Sequence, residues 1–447
     1  MSDNSIHHNT GAIHVIGLGV SEYAQLNHDA IRALKTSHWI FGSERQLHII
    51  RKIFDNTDTP NESNDELLPK QVVLPKLSEL RVFIDQNSDK IISVLASGDP
   101  LYYGIGRWIN QHYNHQQQPK SPLPCYFYPA VSSIQVACHR LGLSLQDIEV
   151  ISLHGRPIEK LRRVLTNNTD ILVLTDKYSH PQALAEECAR AQLENSLLTV
   201  CEDLGYKGEK ISQYTVRELL DKNPFSFSTL HITLIQTAGF GCVIPEFPGI
   251  PDHHYITGEI PGKGMITKRE VRLSILSLMQ TAATDVIWDI GAGCGGLAVE
   301  LAYWNDRANI YAIECHDQRF RYLSANQRRF GVVNNLHLVH DRAPECLMEL
   351  PKPNKIFIGG SDGKLHDLLK YAWSVLPNGG ILMATSVIQE SREILLSFAK
   401  KLQPSQVESV EISVKRAYLQ KKDDEKDMHY THKLPVEIFK FVKGELI

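Results

Sequence analysis

Short apolar runs alternate with helical hydrophobic spacing along the first half of the chain. The runs at 12–19, 90–98 and 170–176 end in glycine or aspartate, which is typical of buried strands that stop at a turn. Amphipathic spacing between them, as at 21–37 with Ser21 as the expected N-cap, predicts helices. Because strands alternate with helices, we predict an α/β fold with a mostly parallel sheet.

A second α/β series follows a stretch that is rich in glycine and proline. The stretch at 238–268 has little periodicity and is the best linker candidate in the chain. Beyond it, Thr267 and Glu270 form a capping-box pattern at the start of a helix. Near the end, two apolar runs flank the charged segment 420–433, which we predict to be a solvated loop joining a final antiparallel pair.

The length of the chain supports two domains. A single hydrophobic core stops growing at roughly 250–300 residues, and this chain has 447. We place the first domain at 1–240, a linker at 241–257 and the second domain at 258–447.

Composition and charge exclude several classes of protein. A net charge of −4 does not favour a nucleic-acid partner. The eight cysteines form no Cys-x-x-Cys pair and no HExxH motif is present, so we expect reduced thiols and no metal site. No apolar run is long enough to span a bilayer and the first residues lack a signal core, so we expect a cytoplasmic protein that does not bind membranes.

The most specific chemical signal is the glycine-rich turn at 289–296, between a strand and a helix. Glycine lets the backbone approach a ligand closely, and the helix start offers free N–H groups. Glu314 ends the next strand, where a carboxylate can accept both hydroxyls of a ribose. Asp289 precedes the turn and would repel a pyrophosphate, whereas it suits the ammonium group of S-adenosylmethionine. S-adenosylmethionine is therefore favoured over NAD or a purely structural turn.

Other strand ends of the second half belong to the same edge of the predicted sheet. Asp341 follows an apolar run and either bonds an adenine edge or caps a helix before Pro344. The candidate cofactor-binding residues of this half are Asp289, Gly291, Ala292, Gly293, Glu314, Asp341 and Ala343.

Six segments of the second half resemble a known family. They are ITKREVRLSILSLM, WDIGAGCGGLAVELA, YAIECH, DRAPECL, IFIGG and LPNGG. Together they resemble the decarboxylating precorrin methyltransferase family of cobalamin biosynthesis, over nearly all of 258–447. The family's turn usually reads Gly-Ala-Gly-Thr-Gly-Ser, and here Cys294 and Gly296 replace its hydroxyl residues. The resemblance implies a Rossmann-like fold that binds S-adenosylmethionine.

The segment SGDPLYYGIG at 97–106 carries the main signal of the first half. Pro100 cannot donate to a strand ladder, so the strand must stop at Gly98-Asp99 and leave backbone groups free for a ligand. This segment resembles the tetrapyrrole methylase family, together with the segments VIGLG, YPAVSSIQVACHRLG, ISLHGR and VLTDKYSHP. One departure is the first turn, which in the family usually reads Gly-x-Gly-Pro-Gly and here reads Gly17-Leu18-Gly19-Val20-Ser21. The resemblance implies a two-lobed fold that holds S-adenosylmethionine in the cleft between its lobes. The residues it places at that cofactor are Gly98, Asp99, Pro100, Ser132 and Ser133.

Candidates for contact with the substrate are fewer, and no catalytic residue is assigned. In the first domain they are His154 and Arg156, although His154 is equally well interpreted as a buried histidine with its hydrogen bonds satisfied. Tyr102 and Tyr103 can lie against a flat ring, but core packing is the favoured interpretation. The candidates of the second domain are Thr267 and Lys268.

The two resemblances together imply a bifunctional methyltransferase with two S-adenosylmethionine sites, one per domain. Such an enzyme methylates C5 of a reduced tetrapyrrole with its first domain, and methylates C15 and decarboxylates an acetate side chain with its second. A meso carbon is already nucleophilic and a sulfonium methyl group already electrophilic, so alignment and exclusion of water matter more than a strong base. We also expect a homo-oligomer.

The substrate carries many carboxylates, so basic residues should surround both clefts. Besides Arg156 and Lys268, the candidates are Lys177, Arg269 and Arg272, whereas Arg319 is assigned to a solvated helix face. The alternatives are a two-domain methyltransferase acting on RNA or protein, a regulatory module that only binds S-adenosylmethionine, and an NAD dehydrogenase.

Overall fold

Contacts divide the chain into two units, each with its own hydrophobic core. The structure is a computed structural model that describes residues 11–24, 26–55, 68–113, 123–221, 226–239, 241, 247–422 and 425–444. Unit 1 comprises Met1–Arg156 and Asn167–Gly239, and unit 2 comprises Pro157–Thr166 and Phe240–Ile447.

Unit 1 begins with a fully parallel five-stranded sheet in the order β3-β2-β4-β1-β5. Its strands are β1 (Ala12–Gly17), β2 (Trp39–Gly42), β3 (Lys70–Val73), β4 (Ile91–Ala96) and β5 (Cys125–Tyr128). The helices are α1 (His28–Thr36), α2 (Glu44–Asp55), α3 (Leu77–Gln86), α4 (Gly106–Tyr113) and α5 (Ser133–Leu141). Buried Ile13, Val15 and Val94 place the centre of this lobe on β1 and β4.

The second lobe of unit 1 is a mixed sheet in the order β6-β7-β10-β8-β9. Its elements are β6 (Glu149–Ser152), β7 (Asp170–Leu174), α6 (Pro181–Arg190), β8 (Leu197–Glu202), β9 (Lys210–Thr215), α7 (Val216–Asp221) and β10 (His231–Gln236). Only β6 and β7 pair in parallel. The expectation of a mostly parallel sheet is therefore wrong for this lobe, because a short turn, not a crossover helix, connects β8 to β9.

Unit 2 contains a seven-stranded sheet in the order β13-β12-β11-β14-β15-β19-β16. Strand β19 runs opposite to the other six strands and pairs antiparallel with both β15 and β16. The seven strands are β11 (Val286–Ile290), β12 (Asn309–Ile313), β13 (Leu336–Val339), β14 (Lys355–Ile358), β15 (Ile381–Ser386), β16 (Val407–Ile412) and β19 (Val436–Val442). The strands β17 (Lys415–Lys422) and β18 (Glu425–His432) form a separate two-stranded sheet. The helices are α8 (Arg269–Met279), α9 (Gly296–Trp304), α10 (Asp317–Arg329), α11 (Leu365–Val375) and α12 (Gln389–Ala399).

Both predicted helix caps are wrong. Helix α1 is capped by Asn27, whose side chain accepts a hydrogen bond from the N–H of Ala30 (2.8 Å), and not by Ser21. Helix α8 begins after Lys268 without a side-chain cap. The carboxylate of Glu270 instead accepts two hydrogen bonds from Arg416, at 2.6 and 2.7 Å, because a guanidinium is a stronger partner than a backbone N–H.

The segment predicted as a solvated loop forms the β17–β18 hairpin instead. Leu419 pairs with Met428 and Ala417 with Tyr430, so these four side chains share one face of the hairpin, and on β18 Met428 and Tyr430 alternate with polar residues. The charge of the segment obscured this period of two, which favours strands over a loop.

Part of the segment predicted as a linker is packed into unit 2. Ile250 and Tyr255 are fully buried in its core. Residues 242–246 of that segment lie outside the described residues.

Candidate functional site

Unit 2 contains a cavity of about 770 Å³ at the carboxyl ends of its parallel strands. The turns that follow β11, β12, β13 and β14 all contribute to its wall. Strand β11 has β12 on one side and β14 on the other. The chain therefore adds strands on one side of β11 as far as β13, and then crosses to add β14 and β15 on the other side. In open α/β sheets such a reversal leaves a crevice suited to a ligand.

The glycine-rich turn forms the floor of this cavity, and two of its positions require glycine. Gly291 has φ +73°, and a Cβ on it would lie 2.5 Å from the carbonyl oxygen of Gly360. Gly293 has φ +60°, and its Cβ would lie 2.5 Å from the carbonyl oxygen of Met265. The turn is thus held between two neighbouring loops, with its backbone available to a ligand.

The carboxylate of Glu314 is fixed at the edge of the cavity. One oxygen accepts a hydrogen bond from the N–H of Gly293 (2.9 Å) and the other from the N–H of His316 (2.8 Å). Glu314 is buried, yet each carboxylate oxygen has a second lone pair. The pair of oxygens can therefore accept two hydroxyl groups from a ligand.

Asp289 is a fully buried acid immediately before the turn. Its Oδ2 has no hydrogen-bond partner within the part of the chain that the structure describes. Burial raises the pKa of Asp289 to about 7, the N–H of Ala298 opposes this rise, and the negative charge of Glu314 adds to it. An unpaired buried carboxylate oxygen is rare in folded proteins, and a cationic group of a ligand would stabilise it.

Positive side chains also line the cavity of unit 2. The amine of Lys268 donates to the carbonyl oxygen of Gly262 (2.7 Å), and burial lowers the pKa of this lysine. Arg319 and Arg342 lie on the same wall, and Arg342 forms an ion pair with Asp362. Together they can bind a ligand that carries carboxylates.

Unit 1 contains a smaller cavity of about 150 Å³ between its two sheets. The first lobe contributes Gly19, Ser97 and Gly98, and the second contributes Tyr206 and His231. The N–H of Gly98 donates to the carbonyl oxygen of Gly19 (3.0 Å), so the turns after β1 and β4 are joined at the cavity wall.

Comparison with known proteins identifies both halves of the chain. Residues 12–220 match the family model of the tetrapyrrole (corrin/porphyrin) methylases, and residues 261–420 match that of the precorrin methyltransferase domain. A protein from Sinorhizobium sp, named precorrin-6Y C(5,15)-methyltransferase (decarboxylating), is 30% identical over 390 residues, which cover 87% of each chain. The chain belongs to the precorrin-6Y C(5,15)-methyltransferase (decarboxylating) family. The resemblances inferred from the sequence are thereby confirmed.

Two further relatives correspond to less than half of this chain. A probable cobalt-precorrin-6B C(15)-methyltransferase (decarboxylating) from Saccharolobus solfataricus is 29% identical over 170 residues, which cover 37% of this chain and 83% of the relative. A crystal structure of precorrin-6Y C5,15-methyltransferase from Geobacter metallireducens covers 44% of this chain and all of its own, at 28% identity and a TM-score of 0.39.

Most candidate residues of unit 2 lie together at its cavity. The residues that line the cavity are Thr267, Lys268, Gly291, Ala292, Gly293, Glu314, Asp341 and Ala343. Asp289 does not line it and is buried one residue before Ile290, which does. Asp341 accepts a hydrogen bond from the N–H of Arg342 (2.7 Å) and remains exposed.

Some candidate residues of unit 1 line its cavity, and others form hydrogen bonds that hold the neighbouring loop and helix. Gly98 and Ser133 line the cavity, whereas Asp99, Pro100 and Ser132 do not. Asp99 accepts hydrogen bonds from the N–H groups of Leu101 (2.8 Å) and Tyr102 (2.9 Å). The hydroxyl of Ser132 caps α5 by accepting from the N–H of Gln135 (3.2 Å).

Some sequence interpretations of single residues are wrong. Tyr102 and Tyr103 are exposed and do not pack in the core. His154 is exposed too, which contradicts only its interpretation as a buried histidine. Neither His154 nor the half-buried Arg156 lines the unit 1 cavity, and their contact with the substrate stays a prediction. Arg272 is completely buried and cannot reach the rim of a cleft.

Sequence reasoning missed several residues of the unit 2 cavity. Arg319 lines the wall together with His316, Met265 and Arg342, so its assignment to a solvated helix face is wrong. Arg319 lies in the first turn of α10, directly after the strand that ends near Glu314. This position in the sequence could have identified Arg319 as a cavity residue, because the first turn of a helix lies at the same edge of the sheet as the end of the strand before it.

Two absences hold for the described ranges alone. None of the helices in them is long and apolar enough to cross a membrane. Nor do three or more histidine, cysteine, aspartate or glutamate side chains there form a group that could hold a metal ion.

Proposed function

We propose that this chain methylates C5 and C15 of precorrin-6Y and decarboxylates one acetate side chain, with one S-adenosylmethionine site in each unit. The observation that carries the proposal is the presence of two separate cavities at strand ends, in two different folds, within one chain of this family. A tetrapyrrole that receives two methyl groups is the substrate that such a chain suits.

The unit 2 cavity fits S-adenosylmethionine by its chemistry. Glu314 would hold the ribose hydroxyls, and the backbone at Gly291 and Gly293 would lie against the methionine part. Asp289, which is buried and does not line the cavity, would favour the ammonium group by its negative charge without direct contact. Bound S-adenosylmethionine supplies an electrophilic methyl group. Lys268, Arg319 and Arg342 would hold carboxylates of the substrate, so that the nucleophilic carbon is aligned and water is excluded.

We assign C5 methylation to unit 1, and C15 methylation with decarboxylation to unit 2. The match of residues 261–420 to the precorrin methyltransferase domain supports this division. So does the shorter Saccharolobus relative, which is named for the C15 methylation and the decarboxylation alone.

The test is incubation of the full chain with precorrin-6Y and methyl-labelled S-adenosylmethionine, followed by mass spectrometry. The expected product has gained two labelled methyl groups and lost one carbon dioxide. The Glu314→Ala variant is expected to yield a product with one methyl group gained and no carbon dioxide lost. A wild-type product without labelled methyl groups would refute the activity, and a doubly methylated product from Glu314→Ala would refute the division between the units.

Self-assembly of the chain is a further part of the proposal. Leu419, Met428 and Tyr430 are exposed on one face of the β17–β18 hairpin and offer an apolar surface to a second copy. Sedimentation equilibrium should give a multiple of the mass of one chain, and Leu419→Lys should reduce it. A monomer at micromolar concentration would refute this part.

A further inference from the structure

Three consecutive large apolar side chains are exposed in the loop that follows Gly98 of the unit 1 cavity wall. Leu101, Tyr102 and Tyr103 are 51%, 41% and 45% exposed, and they follow Gly98 of the cavity wall by only a few residues. Single exposed apolar residues are common, but adjacent ones next to a cavity indicate a surface that something covers.

The loop that presents these side chains is well ordered by its own hydrogen bonds. Asp99 accepts from the N–H groups of Leu101 and Tyr102, and the carbonyl oxygen of Pro100 accepts from the N–H of Gly106 (2.8 Å). A Cβ on Gly104 would lie 2.5 Å from that same carbonyl oxygen, so the loop is closed tightly on itself. The backbone conformation of the loop therefore keeps these three side chains exposed.

Tyr103 connects this loop to the second lobe. Its φ of +60° is a left-handed conformation that residues other than glycine disfavour. Its hydroxyl donates to the carbonyl oxygen of Val150 on β6 (3.2 Å). The Tyr102 ring lies beside it, with 5.0 Å between the ring centroids and an angle of 58° between the planes. These two neighbouring, inclined rings form an aromatic surface, which the Tyr103 hydroxyl links to the second lobe.

A positive charge follows the strand that holds Tyr103. Arg156 lies in the turn after β6, the strand whose Val150 accepts a hydrogen bond from the Tyr103 hydroxyl. Partial burial raises the pKa of Tyr103, and the positive charge of Arg156 opposes that rise. Arg156 is half-buried, and its side chain forms no ion pair among the residues that the structure describes. Its N–H donates to the carbonyl oxygen of Leu153 (2.9 Å), which holds the turn after β6.

We infer that Tyr102 and Tyr103 form the surface on which the conjugated ring of the unit 1 substrate lies, with Arg156 binding one of its carboxylates. The inference rests on the proposed function, because it requires a flat macrocycle with acidic side chains. Aromatic faces bind flat conjugated rings, and a half-buried guanidinium without a partner binds a carboxylate. Tyr102 is a substrate-binding residue in this assignment, and Tyr103 binds substrate and holds the loop.

The experiment compares Tyr102→Ala, Tyr102→Leu and Tyr102→Phe in the full chain. Alanine and leucine should raise the KM for precorrin-6Y in the C5 methylation by about tenfold, since the aromatic face is lost, while phenylalanine should stay within about twofold of wild type. The affinity for S-adenosylhomocysteine, and the yield of C15 methylation and decarboxylation, should not change. These second readouts also establish that each variant is folded.

A matched control is Leu220→Ala on α7, which is 44% exposed and lies outside both cavities. It should leave every parameter unchanged. An unchanged KM in Tyr102→Ala and Tyr102→Leu would overturn the inference, as would a loss of S-adenosylhomocysteine affinity equal to the loss of substrate affinity. If the wild-type chain does not methylate precorrin-6Y, the proposed function itself fails, and this outcome is distinct from an active wild type with an unaffected variant.

Discussion

Asp289, the buried acid immediately before the glycine-rich turn of unit 2, has a consequence for stability. Asp289 is buried, its Oδ2 has no partner in the described chain, and its pKa is raised from 3.8 to about 7. The folded state therefore holds a proton that the unfolded state releases between about pH 4 and pH 7. Stability is expected to fall as pH rises through this window and to level off above it.

Asp289→Asn should remove this loss of stability, because the amide resembles the protonated acid and does not ionise. The variant should match wild type near pH 4 and exceed it in stability near pH 8, by about 1.4 kcal/mol for each unit of the pKa shift. Urea denaturation at several pH values measures this. If the free energies of unfolding of the two proteins changed with pH in the same way, the expectation would be contradicted.

Gly291 allows a second prediction at the residue scale. In Gly291→Ala, the new Cβ would lie 2.5 Å from the Gly360 carbonyl oxygen, so the turn must move. Titration calorimetry with S-adenosylhomocysteine should show two binding sites in wild type and one in the variant. The control is Gly379→Ala, which has a similar φ of +78° but nothing within 4 Å of its Cβ, and which should retain both sites. Equal loss in both variants would show that backbone strain alone is responsible.

At the scale of elements, Arg272 joins α8 to α9 and to the segment before α8. Its Nε donates to Glu300 (2.6 Å), and its Nη1 donates to Asp252 (3.0 Å) and to the carbonyl oxygen of Thr267 (2.5 Å). Glu300 in turn accepts from the N–H groups of Gly249 (2.7 Å) and Ile250 (3.1 Å). Thr267 and its neighbour Lys268 line the cavity, so this buried network positions part of the site.

Arg272→Met should destabilise unit 2 strongly, because it leaves the buried carboxylate of Glu300 without its cation. The loss should be about 3–5 kcal/mol, which is typical when one partner of a buried ion pair is removed. Urea denaturation measures it. Arg269→Met, at the first position of the same helix, should have almost no effect, because its side chain is not fully buried. Similar midpoints for the two variants would contradict the role of the network.

The local sequence patterns predicted the strand ends that surround each cavity, but they did not predict contacts between residues far apart in the sequence. The turn at Gly291–Gly293 and the acid Glu314 could be recognised because glycines and an acid at successive strand ends are typical of a ligand site. The burial of Arg272 could not, since its charge favours exposure and its partners are 20 and 28 residues away, although it shares the buried face of α8 with Ile275 and Met279. The exposure of Tyr102 could not be predicted either, because apolar character alone favours burial.

At the scale of the whole molecule, the two units have separate cores and separate cavities. We expect two transitions in calorimetric heating. S-adenosylhomocysteine at a hundredfold excess over its Kd should stabilise each unit by about 2.7 kcal/mol. In Glu314→Ala only one transition should shift to higher temperature. A single transition that shifts as a whole in this variant would contradict independent sites.

The position of β19 has a consequence for the order in which the protein forms during translation. Strand β16 pairs only with β19 in the described sheet, and β19 is the last strand of the described chain. The sheet of unit 2 is therefore incomplete until Val442 has been synthesised, whereas the strands of unit 1 are complete by Gln236. At roughly 5–20 residues per second, unit 1 precedes unit 2 by some tens of seconds. During that interval a nascent chain can already carry a finished unit 1, while an early stop codon leaves unit 2 without β19, which joins β16 to the sheet.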